Sequence, residues 1–453
     1  MKRFLSILTA TAIFISLCGC SGTGKEPVNY REELTDQSLT YTLDEIDSLS
    51  RQEFKIGDYG LPALYKYFEG MCDIGVAFTS NQMYDYELSL PYDAKAESPK
   101  VTVNDQVKAG ILKHYNMYVL GNELKSDHCN PAEGVYNFDD ADKFVEIGKA
   151  SGAKLRGHTI VWHSQVPQWW FKADPNDQSS IADCRTNGTL ATREQLTERL
   201  TTYINEVIGR YKDDIKIWDV CNEVLNATGI RQFSDDQSVW SEIIGDVDGN
   251  GYADDYVEIA FNAAREAGGE DLVLMINDFN MEWQESKTQA MYDMLERMMR
   301  KGVRIDGVGF QSHISVDCNV ALYRKNIEKI AGLAEVYNEC FPDYAGNFRI
   351  QITELDMNMF VGAIADEGFY TWSMEDYERQ AAKYAELFDM FLDFTDNKTI
   401  DAILFWGTDD ENSWLNTTPK LRRNAALLAD RDMVVKPCFW SIARAALEHK
   451  NKS

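Results

Sequence analysis

Short apolar runs recur along this chain from position 73 onward, separated by stretches whose apolar positions fall three and four apart. The runs are DIGVAF (73–78), YNMYVLG (115–121), KLRGHTIVW (154–162), IKIWDVCNE (215–223), LVLMINDF (272–279), GVGFQSH (307–313), RIQITELD (349–356) and DAILFWG (401–407). Their β-branched and aromatic content predicts buried strands. Between them, Leu196, Leu200, Tyr203, Ile204, Val207, Ile208 and Tyr211 form one stripe of a helix. Thr192 and Gln195 provide a capping box ahead of that stripe. Tyr377, Ala381, Tyr384, Ala385, Phe388 and Phe391 form a second stripe. Strands alternating with helices predict an α/β protein with a parallel sheet, and eight strands suffice to close a single (β/α)8 TIM barrel. An open doubly wound sheet is the rival; the lack of a Gly-rich phosphate loop after an early strand counts against its nucleotide-binding forms.

Composition narrows the partners. The chain has 453 residues, 73 acidic and 45 basic, for a net charge of −28. A phosphate-binding surface needs clustered Lys and Arg, so no nucleic acid is expected. An uncharged substrate, no cofactor and a monomeric state are expected. The N-terminus, MKRFLSILTATAIFISLCGCSG, places Lys2 and Arg3 before an apolar run with signal-peptide proportions. Its Leu17-Cys18-Gly19-Cys20 end resembles a bacterial lipobox, which implies cleavage before Cys20 and lipidation of that thiol. An ordinary signal peptide is the alternative. The expected organisation is a signal segment over 1–19, a poorly ordered lipid-anchored tether over 20–58 and a catalytic domain over 59–450. The expected location is outside the cytoplasm, anchored to a membrane or cell surface, and otherwise secreted. Seven scattered cysteines follow Cys20 without a C-x-x-C pair, against a zinc site or a disulfide framework; one or two bridges stay open.

In such a barrel the active site is built at the C-terminal ends of the strands. There the apolar runs end in polar groups. Period two puts Glu354 with Asp356, Gln311 with His313, and His158 with Ile160 and Trp162. Glu223 and Glu354 both end apolar strands, although a lone buried carboxyl group is costly. Hydrolysis of a glycosidic bond needs two carboxyls, one protonated to donate to the leaving oxygen and one ionised to attack or stabilise the anomeric carbon. His313 and Asp356 as neighbours of Glu354 favour its anion, so Glu354 reads as the nucleophile. The apolar, aromatic wall around Glu223 favours its acid form, so Glu223 reads as the acid/base. The competing reading is two structural carboxylates paired with Arg or Lys. Trp162, Trp169, Trp170, Trp406 and Trp414 lie near strand ends, where ring faces stack on sugars. Asn122, Lys125, Gln165, Asn277 and Asn280 carry groups suited to sugar hydroxyls.

These motifs, in order, resemble glycoside hydrolase family 10, the retaining endo-β-1,4-xylanases, over residues 60–447. RGHTIVWHSQVPQW is similar to its third-strand signature. WDVCNE resembles its acid/base strand, INDFN its fifth, GFQSH its sixth, ITELD its nucleophile strand and FWGTDDENSW its eighth. The resemblance implies xylan and xylo-oligosaccharides as substrates, Glu223 as acid/base and Glu354 as nucleophile. It implies that Asn222 holds the sugar 2-hydroxyl, that His313 and Asp356 orient Glu354, and that His158 contacts the sugar at the cleavage point. Asn122, Lys125, Trp162 and Gln165 would line the glycone side under Trp406 and Trp414, with Gln311 also at the substrate. Gly121 stands where the family usually has Glu, and Phe279 where Tyr is usual, keeping a stacking face. A β-glucan or mannan hydrolase of related fold, and a non-catalytic polysaccharide-binding lipoprotein, are the alternatives.

One insert, GDVDGNGYADDY (245–256), spaces Asp246, Asp248, Asn250 and Asp254 like a calcium loop. Its twelfth position is Val257, with Glu258 one place late. The bidentate ligand is missing, and the insert reads as a solvated Gly/Asp turn with no metal.

Overall fold

The strand ends converge because the sheet closes on itself. The computed structural model describes residues 41–58, 60–82, 103–226 and 238–452; the expected signal segment, Cys20 and the tether up to residue 40 lie outside them. The strands are β1 (Asp73–Phe78), β2 (Met117–Leu120), β3 (Lys154–Val161), β4 (Ile217–Asn222), β5 (Val273–Asp278), β6 (Gly307–Phe310), β7 (His313–Ser315), β8 (Arg349–Asn358) and β9 (Ile400–Phe405). Parallel pairing runs from β1 through β6, passes from β6 to β8, and returns through β9 to β1. Eight strands thus form a closed (β/α)8 TIM barrel, and the short β7 pairs in parallel with the C-terminal end of β8. The doubly wound alternative falls with this closure.

The helices form where the stripes predict. Arg193–Tyr211 begins with the Thr192–Gln195 capping box and buries all seven stripe residues. Met374–Asp393 starts with a second capping box, Ser373 with Asp376. Helix and outer strand faces merge in one large apolar cluster. A separate small cluster, Ala77, Met117, Val119, Ile217, Met275, Ala402 and Leu404, packs together apart from it.

A buried charge lies with the interior. Arg156 on β3 makes a two-pronged contact with Asp219 on β4 and donates from Nε to Gln351 Oε1 on β8 at 3.0 Å. Strands β3 and β8 are not neighbours, so this bond crosses the barrel. Asp219 also meets His158 Nδ1 at 2.9 Å, which ties the interior to the rim.

Local geometry departs from the sequence expectations in several places. The run 307–313 was expected as one strand. It breaks at Ser312, whose φ of +65° turns the chain before β7. Ile160 does not stay with His158 and Trp162, because the β3–β4 register shifts between His158 and Val161 and Ile160 packs in the outer cluster. The tether expectation is corrected for residues 41–58. Leu43–Leu49 is a helix with a Thr42–Glu45 capping box, Ile46 and Ile56 are buried, and Lys55 bridges to Val434. A few apolar anchors in a polar stretch suffice to dock it. All seven cysteines from Cys72 to Cys438 are free thiols. In the insert, Asp254 turns away to pair with Arg297, and the clustered carboxylates are those of Asp246, Asp248 and Asp255. Asp246 accepts backbone N–H groups of Gly249 and Gly251 at 2.7 and 2.8 Å, and Asp248 meets Lys301 at 2.5 Å.

Replacing Arg156 by Leu leaves Asp219 buried without its cation. Unfolding in denaturant is expected to show a loss of about 3–5 kcal/mol, the cost of breaking a buried ion pair from one side. A change below about 1 kcal/mol would show that the pair adds little to the fold.

Candidate active site

A cleft of about 1040 Å³ opens over the C-terminal ends of the strands and is lined by both Glu223 and Glu354. Glu223 follows β4 with a left-handed φ of +55°, and its N–H is held by Asn277 O at 2.9 Å. Glu354 sits within β8, and its N–H is held by Gln311 O at 2.8 Å. Two carboxyl groups 131 positions apart therefore share one cleft.

Their surroundings differ. Glu354 Oε1 accepts from Asn277 Nδ2 at 2.7 Å, and its Oε2 meets His313 Nε2 at 3.1 Å. Behind His313, Nδ1 lies 3.0 Å from Asp356 Oδ1, and Asp356 Oδ2 accepts from Trp414 Nε1 at 2.6 Å. Burial works against charge at Glu354. The His313 hydrogen bond and the positive charges of His158, His313 and Lys125 outweigh it and hold the carboxyl at about 2. Burial also opposes charge on His313, but Asp356 and Glu354 raise its pKa well above the ordinary value. At neutral pH this is an imidazolium against a carboxylate.

Glu223 accepts a hydrogen bond from Gln311 Nε2 at 3.0 Å, Trp162 also bonds to its carboxyl, and His163 stands 3.9 Å away. Burial raises its pKa first, and the negative charges of Asp278 and Glu354 add to the rise. The two groups are linked by a chain of side chains. Gln311 Nε2 donates also to Asn222 Oδ1 at 3.2 Å, Asn277 Nδ2 donates to that oxygen at 3.0 Å, and Asn277 holds Glu354. Thr353 Oγ1 fixes the far end of Asn277 at 2.6 Å. Gly309 makes room for this amide: a Cβ there would overlap Asn277 Oδ1. The arrangement can offer a proton from one carboxyl and an anion from the other.

The walls come from other loops. Lys125 Nζ donates to Asn122 Oδ1 at 3.0 Å and Gln165 Oε1 at 2.7 Å, and stands 4.7 Å from the Trp162 ring centre. Burial lowers its pKa despite the nearby carboxylates. Trp406 and Trp414 meet His313 edge-on at 6.3 and 4.8 Å between ring centres, and Trp406 meets His158 at 5.4 Å. Thus Asn122, Lys125, His158, Trp162, Gln165, Asn222, Phe279, Gln311, His313, Asp356, Trp406 and Trp414 all line this cleft.

Some expected sugar contacts are not there. Trp170 is fully buried and donates to Asn130 Oδ1 at 2.9 Å, and Trp169 packs against Arg199 away from the cleft. Asn277 is fully buried, and its amide serves Glu354 and Asn222 rather than a ligand. The Phe279 ring lies 3.7 Å from Lys287 Nζ, so one of its faces is covered. Conversely, Glu282 and the half-exposed Trp283 line the cleft, and sequence reasoning missed both. They follow the NDFN run directly, and that proximity was the only signal.

Comparison with known proteins agrees with this geometry. The model of glycosyl hydrolase family 10 matches residues 83–445. Endo-1,4-beta-xylanase C of Paenibacillus barcinonensis is 39% identical over 358 residues, which is 79% of this chain and 30% of that protein. This chain therefore spans less than a third of that relative's length. A solved GH10 structure from Paenibacillus barcinonensis superposes with a TM-score of 0.72 at 35% identity, covering 85% of this chain and 97% of that one. A mutant of the intracellular xylanase of Thermoanaerobacterium saccharolyticum, solved in complex with xylotetraose, has a TM-score of 0.66 at 36% identity over 84% of this chain and 98% of its own. A closed barrel, two unlike carboxyl groups at its mouth and these matches lead to one conclusion: the chain belongs to glycosyl hydrolase family 10.

Proposed function

We propose that this chain is a retaining endo-1,4-β-xylanase in which Glu223 is the acid/base and Glu354 the nucleophile. The observation that carries the reading is the opposite displacement of two carboxyl groups in one cleft, Glu354 down to about 2 and Glu223 upward. Divergent pKa values assign the acid and the anion of such a pair. The substrate is supported by the xylanase activities of the relatives and by a homologue's complex with xylotetraose. Endo action is supported by the endo-1,4-beta-xylanase relative and by a cleft of about 1040 Å³ whose lining extends well beyond the carboxyl pair.

The steps follow from the contacts. Glu223 gives its proton to the glycosidic oxygen as that bond breaks, while a Glu354 oxygen bonds to the anomeric carbon. Glu223, now a carboxylate, takes a proton from water as the water attacks the anomeric carbon from the side the leaving group left and breaks its bond to Glu354 on the opposite side. Two inversions leave the β configuration. The His313 imidazolium holds one Glu354 oxygen in the free enzyme, and Asp356 and Trp414 fix the imidazole behind it. Asn222, already held by Gln311 and Asn277, is the proposed partner of the sugar 2-hydroxyl. Lys125, Asn122, Gln165 and Trp162 form the proposed glycone wall.

Glu354→Gln should lower turnover of xylan by at least about 10⁴-fold with the melting temperature nearly unchanged. In the wild type, NMR of the first products should show the β anomer. Near-normal activity of the variant, or an α product, overturns the mechanism. Activity on carboxymethyl cellulose or mannan above that on xylan overturns the substrate.

The pH profile has a definite sign. The nucleophile must be ionised, so activity is lost as pH falls through about 2, unless the fold gives way first. The acid must be protonated, so activity is lost as pH rises through the Glu223 value, which lies above the ordinary 4.5. A plot of kcat/KM against pH should therefore be broad, with its upper limb removed or reshaped in Glu223→Ala. An unaltered upper limb in that variant would assign the acid elsewhere.

A further inference from the structure

Glu282 is a buried carboxyl group at the cleft that the steps above do not use. It lies on the loop after β5, is 2% exposed and lines the same cavity as Glu223 and Glu354. The lysine of the following helix is committed elsewhere: Lys287 Nζ is 2.6 Å from Asp278 Oδ1 and over the Phe279 ring. What Glu282 holds is backbone. Its Oε1 accepts the N–H of Ser312 at 2.6 Å.

Ser312 is the pivot of the turn between β6 and β7. Its φ of +65° is a conformation that a side-chain-bearing residue adopts only under outside constraint. Its Oγ is tied to Phe310 O at 3.1 Å and to the Tyr323 hydroxyl at 2.5 Å. Its carbonyl accepts from Asp356 N at 3.4 Å. The residue before it, Gln311, donates to Glu223. The residue after it, His313, meets Glu354. One strained peptide thus carries the partners of both carboxyl groups, in opposite directions.

We propose that Glu282 is a positioning residue for the hydrolysis: by holding the Ser312 amide it sets both the Gln311–Glu223 and the His313–Glu354 hydrogen bonds. This rests on the roles proposed for Glu223 and Glu354. A displaced turn spoils the acid and the nucleophile together, which no residue touching only one of them can do. Charge gives Glu282 a second effect. The titratable groups facing it are His313 on β7, Lys287 on the next helix, Tyr323 on the helix after β7, and Cys318. Burial raises the Glu282 pKa to about 7, against hydrogen bonds from its own N–H and from Ser312 and the charges of His313 and Lys287. Its anion favours the His313 imidazolium, the cation that meets Glu354.

The test compares Glu282→Ala, Glu282→Gln and Glu282→Asp with wild type in kcat, KM and melting temperature, on xylohexaose. Glu282→Ala should lose 30- to 300-fold in kcat with KM within threefold. Glu282→Gln keeps one acceptor oxygen for the Ser312 amide and should recover at least tenfold of that loss. If Glu282→Ala does not fold, Glu282→Asp, whose shorter side chain draws the acceptor back from that amide, should lose kcat at an unchanged KM while Glu282→Gln does not. Wild-type kcat in Glu282→Ala, or in Glu282→Asp where Glu282→Ala does not fold, overturns the proposal, as does a loss confined to KM. Failure of the underlying mechanism would appear separately, as full activity of Glu354→Gln in the same assay.

Discussion

Two carboxyl groups buried in one cleft resist being ionised together, because each anion raises the cost of the other. Which of them stays charged is decided by where the cations stand. Here His313, His158 and Lys125 all favour the Glu354 anion, while Glu223 has burial and two neighbouring negative charges. The rest of the site is built to keep those cations in place. Asp356 and Trp414 brace His313, and Asp219 braces His158. Asp219 is in turn neutralised by Arg156, whose contact with Gln351 spans the barrel. The electrostatic asymmetry at the mouth therefore reaches down into the polar core.

That asymmetry is also geometric. The amide of Asn277, fully buried, has one partner on each side of the cleft floor, and Gly309 leaves the space that it fills. Around the mouth, Gln165, Glu223, Asn280 and Ser312 all have left-handed backbone conformations without being glycine. Such conformations cost about 1–3 kcal/mol each and persist only where surrounding contacts fix them. At Ser312 the contacts are identifiable, a carboxylate on its amide and a tyrosine on its hydroxyl. Rigid strands below and constrained turns above give carboxyl groups that hold their places before substrate arrives.

Much of this was legible in the chain. Strand runs ending in Glu or His, helical stripes with capping boxes, and eight repeats of the unit pointed to the barrel and to its working end. The carboxyl pair and its histidine followed from strand faces alone. The failures share a cause. Trp169 and Trp170 lie beyond a strand end, where period two no longer says which way a ring points, and both pack into the wall. Asn277 looked like a sugar ligand because its residue type suits one, yet Asn222 on the adjacent β4 and Glu354 on β8 claim it. Residues 41–58 looked like tether because average polarity hides Ile46 and Ile56.

The amino-acid sequence by itself determined which residue types end each strand, and so which chemistry is present: two carboxylic acids, a histidine with a second acid behind it, and aromatic faces. Those follow from local periodicity, which acts over a few residues. Tertiary structure decided which of these groups meet. The break at Ser312, the register shift after His158 and the return of β8 to β6 bring together side chains tens of positions apart. Proton affinities depend on that meeting, because burial and Coulomb forces act through space and take no account of separation along the chain.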